Sequence, residues 1–176
     1  MGYHRPWLHD ELIHIPLLVR LPGAAEAGRR TSALTQPLDL MPSLLEAFGL
    51  PIPSVHGFSL LPLMRGEKDC LRSYACSGLQ IGDGGELALR TSEWAFVLPW
   101  QTSPADPPRT VQLYVKPDDR WEVNNVLQHN MDLADNLERV LRGFVEATCR
   151  PGPLQAPELK AQGLQPLSFP QSHPET

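Results

Sequence analysis

Cysteine is scarce in this chain of 176 residues, and Cys70, Cys76 and Cys149 show no Cys-x-x-Cys spacing. Neither a disulfide framework nor a zinc site is indicated, and free thiols are expected. Long apolar runs are missing too, since no stretch approaches the roughly 20 residues of a membrane span. The amino terminus does not read as a signal peptide, because a lone Arg5 is followed by Asp10 and Glu11 where an unbroken apolar region belongs. Met1-Gly2 is no myristoylation signal, as Pro6 stands where Ser or Thr is required. Basic charge is in deficit: the net charge is −5, with no basic face for nucleic acid and no polybasic segment for lipid headgroups. Neither nucleic acid nor membrane is expected as a partner. Catalytic signatures are missing as well, with no Gly-x-Ser-x-Gly elbow, no His-Glu-x-x-His and no phosphate loop.

What is abundant is proline, 19 residues of it, which breaks the chain into short elements and disfavours long helices. Residues 7–23 (WLHDELIHIPLLVRLPG) run from a polar entrance into the apolar Ile15, Leu17, Leu18 and Val19 and close on Pro22-Gly23. That pattern predicts a strand buried on both faces of a parallel sheet, whose neighbours this chain does not offer. Asp39 is expected to cap a helix carrying Leu40, Leu44, Leu45 and Phe48 on one face and stopped by Gly49. Residues 59–67 form a short apolar turn. Residues 71–79 and 87–100 read as strands joined by a turn at Gly82, Asp83, Gly84 and Gly85, with a third strand over residues 111–115. Leu133, Leu137, Val140, Leu141 and Phe144 share one face of an amphipathic helix over residues 132–148. Six prolines without periodicity predict a weakly ordered tail after Cys149.

Residues able to carry chemistry crowd the first fourteen positions: His4, Arg5, His9, Asp10, Glu11 and His14. A His/Asp/Glu cluster is the material of a metal or acid–base site. His9 and His14, however, do not share a helix face, and in a strand they point to opposite faces. Composition alone therefore predicts a solvated strand entrance with surface histidines. Asp118 and Asp119 lie in a Pro-Asp-Asp-Arg turn and are expected to be solvated as well.

The order of the pieces says more than any one piece. LHDELIHIPLLVRLPG, QPLDLMPSLLEAFGLPIP, VHGFSLLPLMRGE, ALRTSEWAFVL, QLYVKPDD and WEVNN follow one another over residues 4–148. This succession resembles the carboxy-terminal portion of the sulfatase family, within the alkaline-phosphatase-like superfamily. In that family a Leu-Tyr-Glu-Glu entrance leads into "IPLIIRxPG", then "VDLxPTLLxLAG", "DGxSLxPLLxG", "RTxxxKLI" and "ELYDLxxDPxExxNL". The resemblance implies an α/β remnant plus an α+β unit. Residues 1–66 would hold the last strand and helix of a parallel-sheet domain, residues 67–150 a small antiparallel sheet with its closing helix, and residues 151–176 a Pro-rich tail.

The activity implied is sulfuric ester hydrolysis by a formylglycine hydrate, made from Cys or Ser in Cys/Ser-x-Pro-x-Arg, beside a calcium-type divalent ion. None of the three cysteines lies in that motif, and neither the family's Asp-Asp metal pair near the amino terminus nor the Ser-Asp-His-Gly ligand set that should precede Trp7 is present. The isolated chain is therefore expected to be inactive and to hold no cofactor of its own, the sulfate ester being the substrate of a complete enzyme. In the family register Arg5 takes the place of a sulfate-binding Lys, with His4 beside it, while His9 replaces the family's Tyr. Two alternatives stand: a non-catalytic module docking on a chain that supplies the missing amino-terminal domain, and part of a phosphate or phosphonate ester hydrolase.

Overall fold

The computed structural model describes residues 8–101, 110–151 and 154–160. Its centre is a four-stranded antiparallel meander of β1 (Ala75–Ile81), β2 (Gly84–Arg90), β3 (Trp94–Gln101) and β4 (Gln112–Val115), in the order β1-β2-β3-β4. Four strands form where three were expected, because residues 87–100 are not one strand. Thr91 bends the chain: its Oγ1 accepts hydrogen bonds from the Glu93 and Trp94 N–H groups at 3.2 and 3.0 Å, and its own N–H donates to the Trp94 carbonyl at 2.9 Å. A Thr hydroxyl that binds the backbone two and three residues on closes a tight turn. The glycine cluster is narrower as a turn than expected, since Gly84 and Gly85 already belong to β2.

Side chains alternate across this sheet with period two. Leu89, Trp94, Phe96, Leu98 and Leu113 point to one face and are buried. They meet Leu133, Ala134, Leu137, Val140 and Leu141 of α4 (Met131–Thr148), the spacing of a helix laying a single stripe on a sheet. A fully buried side chain of this kind stabilises the fold by about 1.5–3 kcal/mol. Ala88 and Val97 point to the opposite face, where Leu8 covers them. The sheet is thus sandwiched between α4, near the carboxy terminus, and the segment that enters α1 (Asp10–Ile13).

Residues 154–160 are better placed than a loose tail. Leu159 packs against the α4 core, and the Tyr74 phenol donates to the Pro157 carbonyl at 2.7 Å. All three cysteines are free, and burial pushes the Cys76 thiol up to about 12, which leaves it protonated and unreactive.

Residues 14–21 behave differently from the expected buried strand. No described strand pairs with them, and Ile15, Leu17, Leu18 and Val19 are exposed, Leu18 to 94%. All four described strands are already engaged in the antiparallel meander, and a two-sided parallel strand needs neighbours and helices on both faces. Helix α2 (Leu40–Ala47) likewise does not lay its apolar face on the sheet: it buries only Pro42 and Ser43, while Leu40, Met41, Leu44 and the following Phe48 are exposed.

Asp39 does not cap α2 as expected. Its carboxylate instead accepts hydrogen bonds from Nη1 and Nη2 of Arg72, at 2.6 and 2.5 Å, and from the N–H groups of Phe58 and Gln36 at 2.9 and 2.8 Å. One fully buried side chain therefore ties α2 to the approach to β1 and to the loop before α3 (Leu61–Met64). Gly57 in that loop is required by a close approach: a Cβ there would stand 2.0 Å from the Leu38 carbonyl oxygen. Gly57→Ala is expected to displace the loop and lower stability by roughly 1–3 kcal/mol. A denaturant midpoint identical to that of the natural chain would show that the loop yields freely.

Candidate functional site

The polar residues before the apolar stretch are a solvated entrance only in part: Glu11 and His14 are exposed, as expected, whereas His9 is buried and Asp10 half-buried. Leu8 is seated on Ala88 and Val97, and its N–H donates to Glu86 Oε2 at 3.2 Å. His9 is buried, its Nδ1 against Glu122 Oε2, and its ring lies 5.8 Å from that of Tyr114. The Asp10 N–H donates to the same Glu122 oxygen at 3.2 Å. Three consecutive residues are thereby held by the outward face of the sheet and by the turn that follows β4.

Lys116 closes the arrangement from below. Its ammonium donates to Asp10 Oδ2 at 2.6 Å and lies 2.9 Å from Glu122 Oε1, with only 1% of the side chain exposed. Arg90 of β2 stands 3.9 Å from Asp10 Oδ1. Glu122 reaches this position through a left-handed backbone, φ 53°, which non-glycine residues adopt seldom and at a cost. The Asp119 carboxylate holds that turn by accepting the N–H groups of Val123 and Asn124 at 3.1 and 2.8 Å. Asp119 is thus an ordering residue, where solvation was expected.

The electrostatics follow from the contacts. Burial alone would raise the Glu122 carboxyl, but the hydrogen bonds from His9 and Lys116, the ammonium charge and the Asp10 N–H outweigh it and hold the group below its ordinary value. Glu122 is ionised at neutral pH and forms the hub of the set. Lys116 and Glu122 are shielded from solvent and fully engaged, so they position the chain and do not react.

Ligand atoms of His9, Glu11 and Glu122 lie within 4.8 Å of one another, the spacing of a possible cation site. They do not fit the calcium-type ion that the family resemblance implies. Such an ion takes six to eight oxygens, whereas one donor here is an imidazole and both Glu122 oxygens are taken, one of them by an ammonium. Beside the cluster opens a cleft of about 360 Å³ between Asp10, Glu11 and His14 on one side and Arg90, Arg120 and Trp121 on the other.

Of the residues singled out in the sequence, His9, Asp10 and Glu11 come together, and His14 lines the cleft. His4 and Arg5 lie outside the described residues. Lys116, Glu122 and Arg90 went unnoticed as site residues, although Glu122-Val123-Asn124-Asn125 falls within one of the motifs compared above.

Residues 2–75 match the family model for the carboxy-terminal part of N-sulphoglucosamine sulphohydrolase. An N-acetylglucosamine-6-O-sulfatase from Bacteroides thetaiotaomicron is 32% identical over 66 residues, 37% of this chain and 12% of that protein. Arylsulfatase K from Canis lupus familiaris is 24% identical over 154 residues, 81% of this chain and 28% of that protein. A solved structure of a candidate sulfatase from B. thetaiotaomicron superposes with a TM-score of 0.54 at 24% identity, over 65% of this chain and 25% of that one. This last likeness shows the fold alone. The chain spans less than a third of the length of these curated relatives, and over residues 2–75 it is similar to the carboxy-terminal portion of a sulfatase-family protein.

Proposed function

We propose that the chain serves a sulfuric ester hydrolase as its carboxy-terminal portion, and that the nucleophile and the metal ligands reside in polypeptide other than these 176 residues. The observation that carries this reading is the similarity over residues 2–75 to a sulphohydrolase carboxy-terminal region. The absence from the sequence of any Cys or Ser in Cys/Ser-x-Pro-x-Arg supports the division of labour. Residues 15–21 would add a strand to the parallel sheet of that other part, which accounts for the exposure of Ile15, Leu17, Leu18 and Val19. Arg5, with His4, would hold a sulfate oxygen of the substrate through a guanidinium fork.

The exposed apolar row also favours a second reading, a module that docks on a partner chain without taking part in chemistry. One experiment separates them. The 176-residue chain is assayed with 4-nitrophenyl sulfate alone and after co-expression with an amino-terminal sulfatase segment carrying Cys/Ser-x-Pro-x-Arg and Asp-His-Gly. No turnover alone and turnover in the complex are expected, with Arg5→Ala raising KM. Turnover by the chain alone would refute the division of labour. A complex in which Arg5→Ala changes nothing leaves docking as the role, and preferential hydrolysis of 4-nitrophenyl phosphate moves the parent reaction to phosphate esters.

A further inference from the structure

We propose that the Arg30–Thr31 peptide bond is a processing site for an endoprotease that reads paired basic residues, and that the cut chain stays together as two fragments, residues 1–30 and 31–176. Arg29 and Arg30 are the one pair of adjacent basic residues in the sequence, and both are exposed, as are Thr31 and Ser32. The backbone reaches them through left-handed conformations at Gly23, Ala24, Glu26 and Gly28, and residues 29–36 then belong to no helix, turn or strand. Among the described residues no hydrogen bond ties the backbone of Arg30, Thr31 or Ser32 to the rest of the fold. Exposed loops of small and polar residues are where nicking concentrates, because an endoprotease must draw several residues of extended backbone into its cleft.

The charges are as available as the backbone. Arg29 pairs with Glu26 at 3.4 Å, but both side chains are well exposed, and such a pair holds them weakly. No described carboxylate pairs with Arg30. A cleft with two acidic subsites can therefore take both guanidinium groups as charge-assisted hydrogen-bond donors. Other basic residues lack one or another of these properties. Arg5 and Arg150 precede proline, which carries no N–H and fixes its backbone angle. Arg65 opens a turn in which the Gly66 and Glu67 N–H groups donate to the Leu63 and Pro62 carbonyls at 3.1 and 2.9 Å. Arg20 is exposed but single. In the cut itself water attacks the Arg30 carbonyl carbon and the C–N bond breaks, leaving a carboxylate on Arg30 and an ammonium on Thr31.

The chain is anchored on both sides of the break. Before it, Leu8 rests on Ala88 and Val97, and Lys116 holds Asp10. After it, the Gln36 side-chain amide donates to the Cys76 carbonyl of β1 at 2.9 Å, and Asp39 binds Arg72. The antiparallel sheet and α4 lie wholly within residues 31–176.

The test exposes the folded 176-residue chain to kexin, which cuts after paired basic residues, and in parallel to trypsin, which cuts after single ones. Products are read by mass spectrometry and by gel filtration without denaturant. Kexin is expected to make one cut, at Arg30–Thr31, with both fragments eluting together where the intact chain does. Trypsin should cut first at one of the same two arginines. Arg29→Ala should slow kexin about a hundredfold, while trypsin still cuts first at Arg30. Thr31→Pro keeps both cations and should abolish the kexin cut. Both positions are exposed, so an unchanged thermal midpoint verifies that the variants fold; where Thr31→Pro lowers it, the Arg29→Ala comparison decides. A chain that kexin leaves intact, a first tryptic cut elsewhere, kexin cleavage indifferent to Arg29→Ala, or cleavage that follows global unfolding in urea each overturns the processing site. Fragments that separate on the column overturn the two-fragment form.

Discussion

Asp39→Ala is expected to cost the fold about 3–5 kcal/mol, because it removes one partner of a buried ion pair and strands the other. Asp39 is 0% exposed, and the Arg72 side chain that it pairs with is 9% exposed. The same carboxylate also satisfies the Phe58 and Gln36 N–H groups, so truncation leaves a guanidinium and two amides without their acceptor. A loss of that size is a large part of the 5–15 kcal/mol by which domains are ordinarily stable. Asp39→Asn keeps the shape and some acceptor capacity and should fall between the two.

The pH dependence has a definite sign. Burial alone would raise the Asp39 carboxyl, but the Arg72 hydrogen bonds, the two backbone N–H donors and the guanidinium charge hold it below 3.8. A depressed carboxyl contributes stability that is present above its unfolded value, near 3.9, and is lost as pH falls through the folded value. The gap in urea midpoint between the natural chain and Asp39→Ala should therefore be wide at pH 7 and should narrow on strong acidification. Equal midpoints at pH 7 would show that the pair carries no net stability.

Local periodicity made some of this architecture readable and hid the rest. The α4 stripe stands in the sequence because Leu133, Leu137, Val140 and Leu141 need only one another to reveal a helical face. The β2–β3 hairpin was also legible in principle. The apolar positions are odd at Leu87 and Leu89 but even at Trp94, Phe96 and Leu98, and a continuous strand cannot change parity without turning its side chains to the other face. Thr91 is where that parity changes. The site was not legible in the same way. His9 pairs with Glu122 across 113 positions, and Lys116 with Asp10 across 106. No local window holds both members, and a polar residue destined for a buried pair looks in sequence like one destined for water. The ordered family motifs carry that information only indirectly, by placing Glu122 in a recurrent position without naming its partners. Residues 14–21 illustrate the converse, since an apolar pattern states what a segment can bury and not whether this chain supplies the cover.

Glu122→Ala should be the most informative substitution at the site, with an expected loss of about 3–5 kcal/mol. It leaves the Lys116 ammonium, 1% exposed, with Asp10 as its remaining carboxylate, and it removes the acceptor of the Asp10 N–H and the partner of His9. The loss should be concentrated at residues 8–13, whose amides are expected to exchange faster while those of α4 keep their protection relative to the global midpoint. The left-handed backbone at Glu122 permits an internal control. Glycine relieves a conformational cost of about 1–2 kcal/mol per residue that alanine retains, so Glu122→Gly should be less damaging than Glu122→Ala by about that amount and still less stable than the natural chain. That ordering follows only if the carboxylate's contacts outweigh the strain of holding it in place. Because burial, which would raise this carboxyl, is outweighed by His9, Lys116 and the Asp10 N–H, its contribution is present above the unfolded value, near 4.3, and disappears as pH falls through the lower folded one. Hydrogen exchange at neutral pH that leaves residues 8–13 of Glu122→Ala as protected as in the natural chain would show that Leu8 packing alone seats this segment.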